Sequence, residues 1–153
     1  MLHVVLFQPE IPHNTGAIGR LCLATNATLH LIKPLGFSLE DKQLKRAGLD
    51  YWQEVTVHVW NSWEELAATL PAAAACYFIE CQGEHTYWEA DLTAAEVYLV
   101  FGPETRGIPA SVIQPEHCLR IPMQGTRSLN LATAAGIVMY EALRQRTQAG
   151  ITP

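Results

Sequence analysis

The chain has 153 residues, 49% hydrophobic and only 16% charged, with a net charge of −5. That length suits one domain spanning 1–153 and is enough to bury a core without disulfide or metal staples. Charged content well below the usual quarter points to a surface covered by something other than water, most simply a self-association face. No 18-residue apolar span occurs, and the opening MLHVVLFQPEIP lacks the basic start of a signal peptide. It reads as a first strand of a cytoplasmic protein with no membrane partner.

The cysteines Cys22, Cys76, Cys81 and Cys118 fit neither a CxxC nor a zinc spacing, and the six histidines form no HxH or HxxxH pair. Reduced cysteines and no metal are the expectation. The cations fall in two blocks: Arg20, Lys33, Lys42, Lys45 and Arg46, then Arg106, Arg120, Arg127, Arg144 and Arg146. Residues 1–46 carry five cations against three acids, residues 47–105 ten acids and no cation, and residues 106–153 five cations against two acids. A polyanion would be repelled by the middle third and accepted by the outer two, provided these meet in space.

In chain order, LHVVLF (2–7), ended by Pro9, predicts a buried strand. NTGAIGRLCLAT (14–25) has helical spacing with Asn14 or Thr15 as N-cap, and TLHLIK (28–33) reads as strand. Ser38, with Asp41 three residues on, predicts a short helix through Arg46 that Gly48 stops. EVTVHVW alternates as a strand does, and Asn61 or Ser62 with Glu65 caps a helix over WEELAATL. CYFIE and VYLVF read as buried strands and HCLRIP as a short one. SLNLATAAGIVMYEALRQR (128–146) predicts a long helix capped by Ser128, with a run of small residues at Ala132, Ala134, Ala135 and Gly136. This alternation predicts an α/β domain with a mostly parallel sheet flanked by helices on both faces, and ligands in the loops at the carboxyl ends of the strands.

GxGxxG after a strand, GxxxxGK[ST], GxSxG and HExxH are all missing, which disfavours dinucleotide-binding dehydrogenases, P-loop enzymes, serine hydrolases and zinc enzymes. Three loops stand out instead. PEIPHNTGAIGR carries Asn14 and, six residues on, Arg20. FGPETRGIP (101–109) places Glu104 and Arg106 between Gly102 and Gly107, so that the glycines bend the chain and the two charges order the loop. IPMQGTRSLN turns at Gly125 and leads through Ser128 to Asn130. Together they describe a pocket of backbone groups and apolar walls for a flat ligand with polar edges, such as a nucleobase. A non-catalytic nucleotide- or RNA-binding module would use the same features.

NTGAIGR, FGPETRGIP and IPMQGTRSLNLATAAGIVMYEA resemble the three motifs of the SPOUT superfamily, in its SpoU branch of RNA 2′-O-ribose methyltransferases. MLHVVLFQPEIPHNTGAIGRLC, KPLGF and LKRAGLDYW are similar to the small TrmL/YibK-like members, and the resemblance covers nearly the whole chain. It implies a C-terminal trefoil knot, an obligate homodimer, S-adenosylmethionine as cofactor, and methylation of the wobble ribose (cytidine 34 or uridine 34) of leucine tRNAs. The implied cofactor contacts are Ile79, Gly102, Glu104, Ile121, Met123 and Ser128, and the implied catalytic group is Arg20 with Asn14 and Asn130. Another tRNA position or a ribosomal RNA is the alternative substrate within the same branch.

Overall fold

The computed structural model describes residues 1–151; the last two residues of the expected 1–153 domain lie outside the described part. The elements are β1 (Leu2–Phe7), α1 (Pro12–Ala24), β2 (Thr28–Ile32), α2 (Lys42–Gly48), β3 (Val57–Trp60), α3 (Trp63–Ala67), β4 (Ala75–Ile79), β5 (His85–Thr86), β6 (Val97–Phe101), β7 (Cys118–Arg120) and α4 (Leu131–Gln148). The strands form one sheet in the order β3-β2-β1-β6-β4-β7-β5. Every pairing is parallel, so all the carboxyl ends of the strands lie along one edge of the molecule.

Burial explains why β1 and β6 read as continuous apolar runs: both are central, and every residue of each is buried. Alternate residues serve opposite faces. Leu2, Val4 and Leu6 pack with Leu29, Leu31 and Leu99 against Ile18 and Cys22 of α1 and Ala135, Val138, Met139 and Ala142 of α4. Val5, Phe7, Phe78 and Val100 face the other way, against Leu66 of α3 and Ile108 of the loop after β6. Each fully buried large side chain contributes roughly 1.5–3 kcal/mol of transfer free energy. The small residues of α4 have a local use. Ala135 is fully buried, and a Cβ added to Gly136 would sit in ordinary contact, 3.6 Å from Leu21 of α1.

Four helix boundaries differ from the sequence expectation. α1 begins two residues before Asn14, because Pro12 takes the first helical position, where its missing N–H costs nothing. Ser38 forms a turn instead of capping; its Oγ accepts from the Glu40 N–H, and the Asp41 carboxylate accepts from the Gln43 N–H (2.6 Å) at the true start of α2. α2 stops at Gly48, as expected, and a 3₁₀ turn over Leu49–Glu54 follows. α4 is capped by Asn130, whose Oδ1 accepts from the Thr133 N–H (3.2 Å), and not by Ser128. α3 starts as expected, where Ser62 Oγ accepts from the Glu65 N–H (3.2 Å), but it ends at Ala67, short of the end of WEELAATL.

On the face of the sheet shared with Val5, a polar cluster is buried. Trp60 Nε1 donates to His30 Nδ1 (3.0 Å), His30 Nε2 lies 3.0 Å from His3 Nδ1, and His3 Nε2 lies 2.6 Å from Glu96 Oε2. The indole can only donate, so His30 carries its proton on Nε2 and donates to His3, which in turn donates from Nε2 to Glu96. Tyr98 stacks on His3 at 4.2 Å between ring centroids. Burial, the largest cause, together with neighbouring His3 and His58, pushes the His30 pKa down to about 3; burial also lowers that of His3, against the pull of Glu96.

Candidate active site

The carboxyl ends of β4, β6 and β7 are adjacent, and the loops leaving them meet the loop between β1 and α1 around a cleft of about 520 Å³. That volume is in the ordinary range for a small-molecule site. Ile79 ends β4, Gly102 and Glu104 follow β6, Ile121 and Met123 follow β7, and Ser128 and Asn130 precede α4; all of them line the cleft, as does Asn14 of α1. The structure therefore brings together eight of the nine residues singled out from the sequence. Glu80, Cys81, Phe101 and Leu131 also line it and were not anticipated. The glutamate directly after β4 was the available signal for Glu80.

The cleft is held by carboxylates. The charges of this loop can order it by pairing with each other or with groups elsewhere in the fold, and Glu104 does the latter: it reaches across to the β1–α1 loop. Its carboxylate accepts from the backbone N–H of Glu10 (2.8 Å) and Ile11 (3.1 Å) and from Asn14 Nδ2 (3.3 Å). Asn14 Oδ1 then accepts from Asn130 Nδ2 (3.0 Å), so a single chain of hydrogen bonds joins all three motif loops. Glu10 returns the contact: its carboxylate accepts from Thr105 Oγ1 (2.8 Å) and lies 3.9 Å from Arg106 Nε. Glu80 accepts from the Ile108 N–H and so holds the far side of the same loop.

The glycines in this loop serve proximity more than bending. A Cβ on Gly102 would come 3.0 Å from the Ile108 nitrogen, and one on Gly107 would come 3.3 Å from the Glu80 carboxylate. In the third loop Gly125 does adopt a left-handed conformation (φ +82°), which other residues resist.

Arg20 is the exception among the expected residues. It lies six residues beyond Asn14 on α1, which is about 9 Å along the axis and 240° around it. It is exposed, it does not line the cleft, and its guanidinium lies over the Tyr51 ring, 5.6 Å from the centroid. The second basic block is also smaller than its composition implied. Arg146 is buried and donates to the carbonyl of Ala94 (2.7 Å), and Arg120 donates to that of Gly83 (3.0 Å). Arg106 and Arg127 remain exposed in the motif loops.

An all-parallel α/β sheet with a clamped cleft at its carboxyl edge belongs to the class of small-molecule and cofactor-binding α/β proteins. The chain belongs to the SpoU rRNA Methylase family, which matches residues 1–140. It is 48% identical over 154 residues to the tRNA (cytidine(34)-2'-O)-methyltransferase of Methylovorus glucosotrophus, covering 98% of this chain and 99% of that one. A structure solved under the description "Structural insights into the 2-OH methylation of C/U34 on tRNA" superposes with a TM-score of 0.92 at 47% identity, covering 97% of both chains. The SpoU methyltransferase AviRb from Streptomyces viridochromogenes, in complex with AdoMet, superposes with a TM-score of 0.84 at 26% identity over 96% of this chain and 58% of that one. The fold is thus that of SpoU methyltransferases.

Proposed function

We propose that this protein transfers a methyl group from S-adenosylmethionine to the ribose 2′-hydroxyl of the wobble nucleotide, cytidine 34 or uridine 34, of leucine tRNAs, as a homodimer in the cytoplasm. The observation that carries this reading is the convergence of three motif loops on one cleft through the Glu104–Asn14–Asn130 hydrogen bonds. Near-identical length and high identity to relatives named for nucleotide 34 support the substrate.

The cleft fits the cofactor by its chemistry. Ile79, Ile121, Met123 and Leu131 supply apolar walls suited to a purine face, and Ser128 supplies a hydroxyl. Glu80 and Glu104 bring negative charge to the site of a cationic ligand. When bound, the cofactor supplies a methyl group already activated on a positive sulfonium. What remains for the chain is to aim the ribose oxygen in line and to stabilise the charge that develops as its proton passes to solvent water at the open cleft mouth. No histidine lines the cleft among the described residues, and the Glu104 carboxylate is engaged by three donors. A guanidinium stays protonated, so Arg20 serves as the stabiliser of the developing alkoxide or as the anchor of the adjacent phosphate, not as the base.

Arg20 does not line its own cleft, so in this reading it acts on the cleft of a second copy. The surfaces available for that pairing are the outer faces of α1 and α4. Ile11 (42% exposed), Leu129 (36%) and Tyr140 (50%) are large apolar residues left open beside the cleft mouth and along α4. Pairing there would also set two copies of the Lys42, Lys45 and Arg46 block near the clefts for the tRNA backbone. The same reading includes the trefoil knot of the SPOUT fold in the segment after β6. No metal is assigned a role.

The test is methyl transfer from labelled S-adenosylmethionine to purified leucine tRNAs and, separately, to total tRNA and ribosomal RNA, with the product nucleoside mapped by mass spectrometry. Label confined to position 34 of leucine tRNAs supports the proposal. Label elsewhere assigns another substrate of the same chemistry, and cofactor binding without transfer makes the protein a binding module.

A further inference from the structure

We infer that Tyr51 is a positioning residue for Arg20, holding its guanidinium in the orientation needed at the active site. This rests on the reading of Arg20 given above. The contact is imposed by how α2 and the 3₁₀ turn after it dock on α1. That docking uses two glycines one turn apart. A Cβ on Gly16 would come 2.7 Å from the Ala47 side chain, and one on Gly19 would come 2.6 Å from the Trp52 ring. No side chain fits between the layers, so the register of the two segments is fixed with Trp52 over Gly19. The neighbouring pair, Tyr51 and Arg20, then falls at the solvent edge of the same contact, ring against guanidinium at 5.6 Å. That separation is within reach of a cation–π interaction.

Exposure separates this contact from ordinary packing. Tyr51 is 43% exposed and Arg20 is exposed, so neither fills the core. Among the described residues Arg20 meets no carboxylate that would fix its direction instead. An arginine free in four side-chain torsions must be immobilised before it can stabilise charge at a reacting oxygen, and the Tyr51 face reduces that freedom without neutralising the charge. A carboxylate in the same place would hold Arg20 but would also compete with the alkoxide and phosphate it serves. The orientation matters more than the attachment, since small misplacements of a positioning group lower turnover by an order of magnitude or more.

The experiment compares Tyr51→Leu and Tyr51→Phe with the wild-type protein by two readouts. In single-turnover methyl transfer, Tyr51→Leu lowers the rate about tenfold, while tRNA and S-adenosylhomocysteine affinities stay within about twofold, and Tyr51→Phe restores the rate. In ¹⁵N spectra, the Arg20 Nε–H signal (assigned by its loss in Arg20→Lys) is shifted by the ring in the wild type and in Tyr51→Phe, and returns to the position of a free arginine in Tyr51→Leu. An unchanged rate in Tyr51→Leu overturns the inference. So does a loss carried entirely by tRNA affinity, which makes the ring an RNA contact, and so does a Phe variant as poor as Leu. An Arg20 signal that ignores Tyr51 overturns it regardless of activity. A wild-type protein that methylates no RNA defeats the functional reading instead, and the spectra still decide the pairing.

Discussion

The cleft at the carboxyl edge and the histidine cluster on the face of the sheet both join distant strands through polar side chains, yet they use water oppositely. At the cleft, the Glu104 and Glu10 side chains are part-exposed, and each grips the loop that carries the other. On the sheet face, His3 and His30 are buried and neutral, and every ring nitrogen is committed to a partner. The first arrangement leaves open space bounded by charge, which suits binding and reaction. The second leaves no space and resists protonation, which suits holding β1, β2, β3 and β6 together. Charge marks the working edge of this molecule, and its exclusion marks the support.

The sharpest way to break that contrast is at Arg20. Arg20→Ala abolishes methyl transfer, by about a thousandfold or more, while S-adenosylhomocysteine affinity measured by calorimetry changes less than about threefold. A collapse of cofactor affinity would mean that Arg20 supports the cleft instead of acting at the mouth of another. Next is Glu104→Gln, which keeps the shape but turns a donor toward backbone N–H groups. It lowers cofactor affinity about tenfold and folding stability by about 1–3 kcal/mol, read by calorimetry and denaturant titration.

The histidine face gives a prediction of its own. Both His3 and His30 have folded pKa values below the ordinary 6.5, so the unfolded chain binds more protons than the folded one as the pH falls below 6.5. Stability is fully present above that pH and declines below it, by up to about 1.4 kcal/mol per pH unit for each histidine, the His30 share continuing to about pH 3. His30→Gln flattens the slope of unfolding free energy against pH between 6.5 and 4; a slope identical to wild type would place the acid sensitivity elsewhere. The smallest effect is on RNA binding. Lys45→Glu combined with Arg46→Glu weakens tRNA affinity and lessens its dependence on salt by about one unit of slope for each phosphate no longer neutralised. An unchanged slope would remove α2 from the RNA surface.

The strands were legible because buried parallel strands write themselves as unbroken apolar runs, as in LHVVLF and VYLVF. The cleft residues were legible through the resemblance of NTGAIGR, FGPETRGIP and IPMQGTRSLN to family motifs, since glycine, proline and polar residues at strand ends taken singly are ordinary turn chemistry. What could not be read was pairing. Glu104 and Arg106 are two residues apart and invite a local bridge, but Glu104 binds a loop more than ninety residues earlier in the chain. Arg146 reads as a surface cation and is instead buried against the 92–94 carbonyls, because the end of α4 docks there. The histidine cluster left no trace at all: His3, His30 and Trp60 lie on three strands, and only the sheet order brings them together. Helix starts were misplaced at Ser38 and Ser128 because several good capping residues compete in one short stretch, and only the path of the chain selects among them.

The most direct test is a crystal structure of the protein with S-adenosylhomocysteine bound. The ligand is expected in the cleft against Ile79, Gly102 and Ile121, within a dimer whose Arg20 side chains each face the other copy's ligand. A ligand lodged elsewhere, or Arg20 turned from it in both copies, would contradict the proposed site.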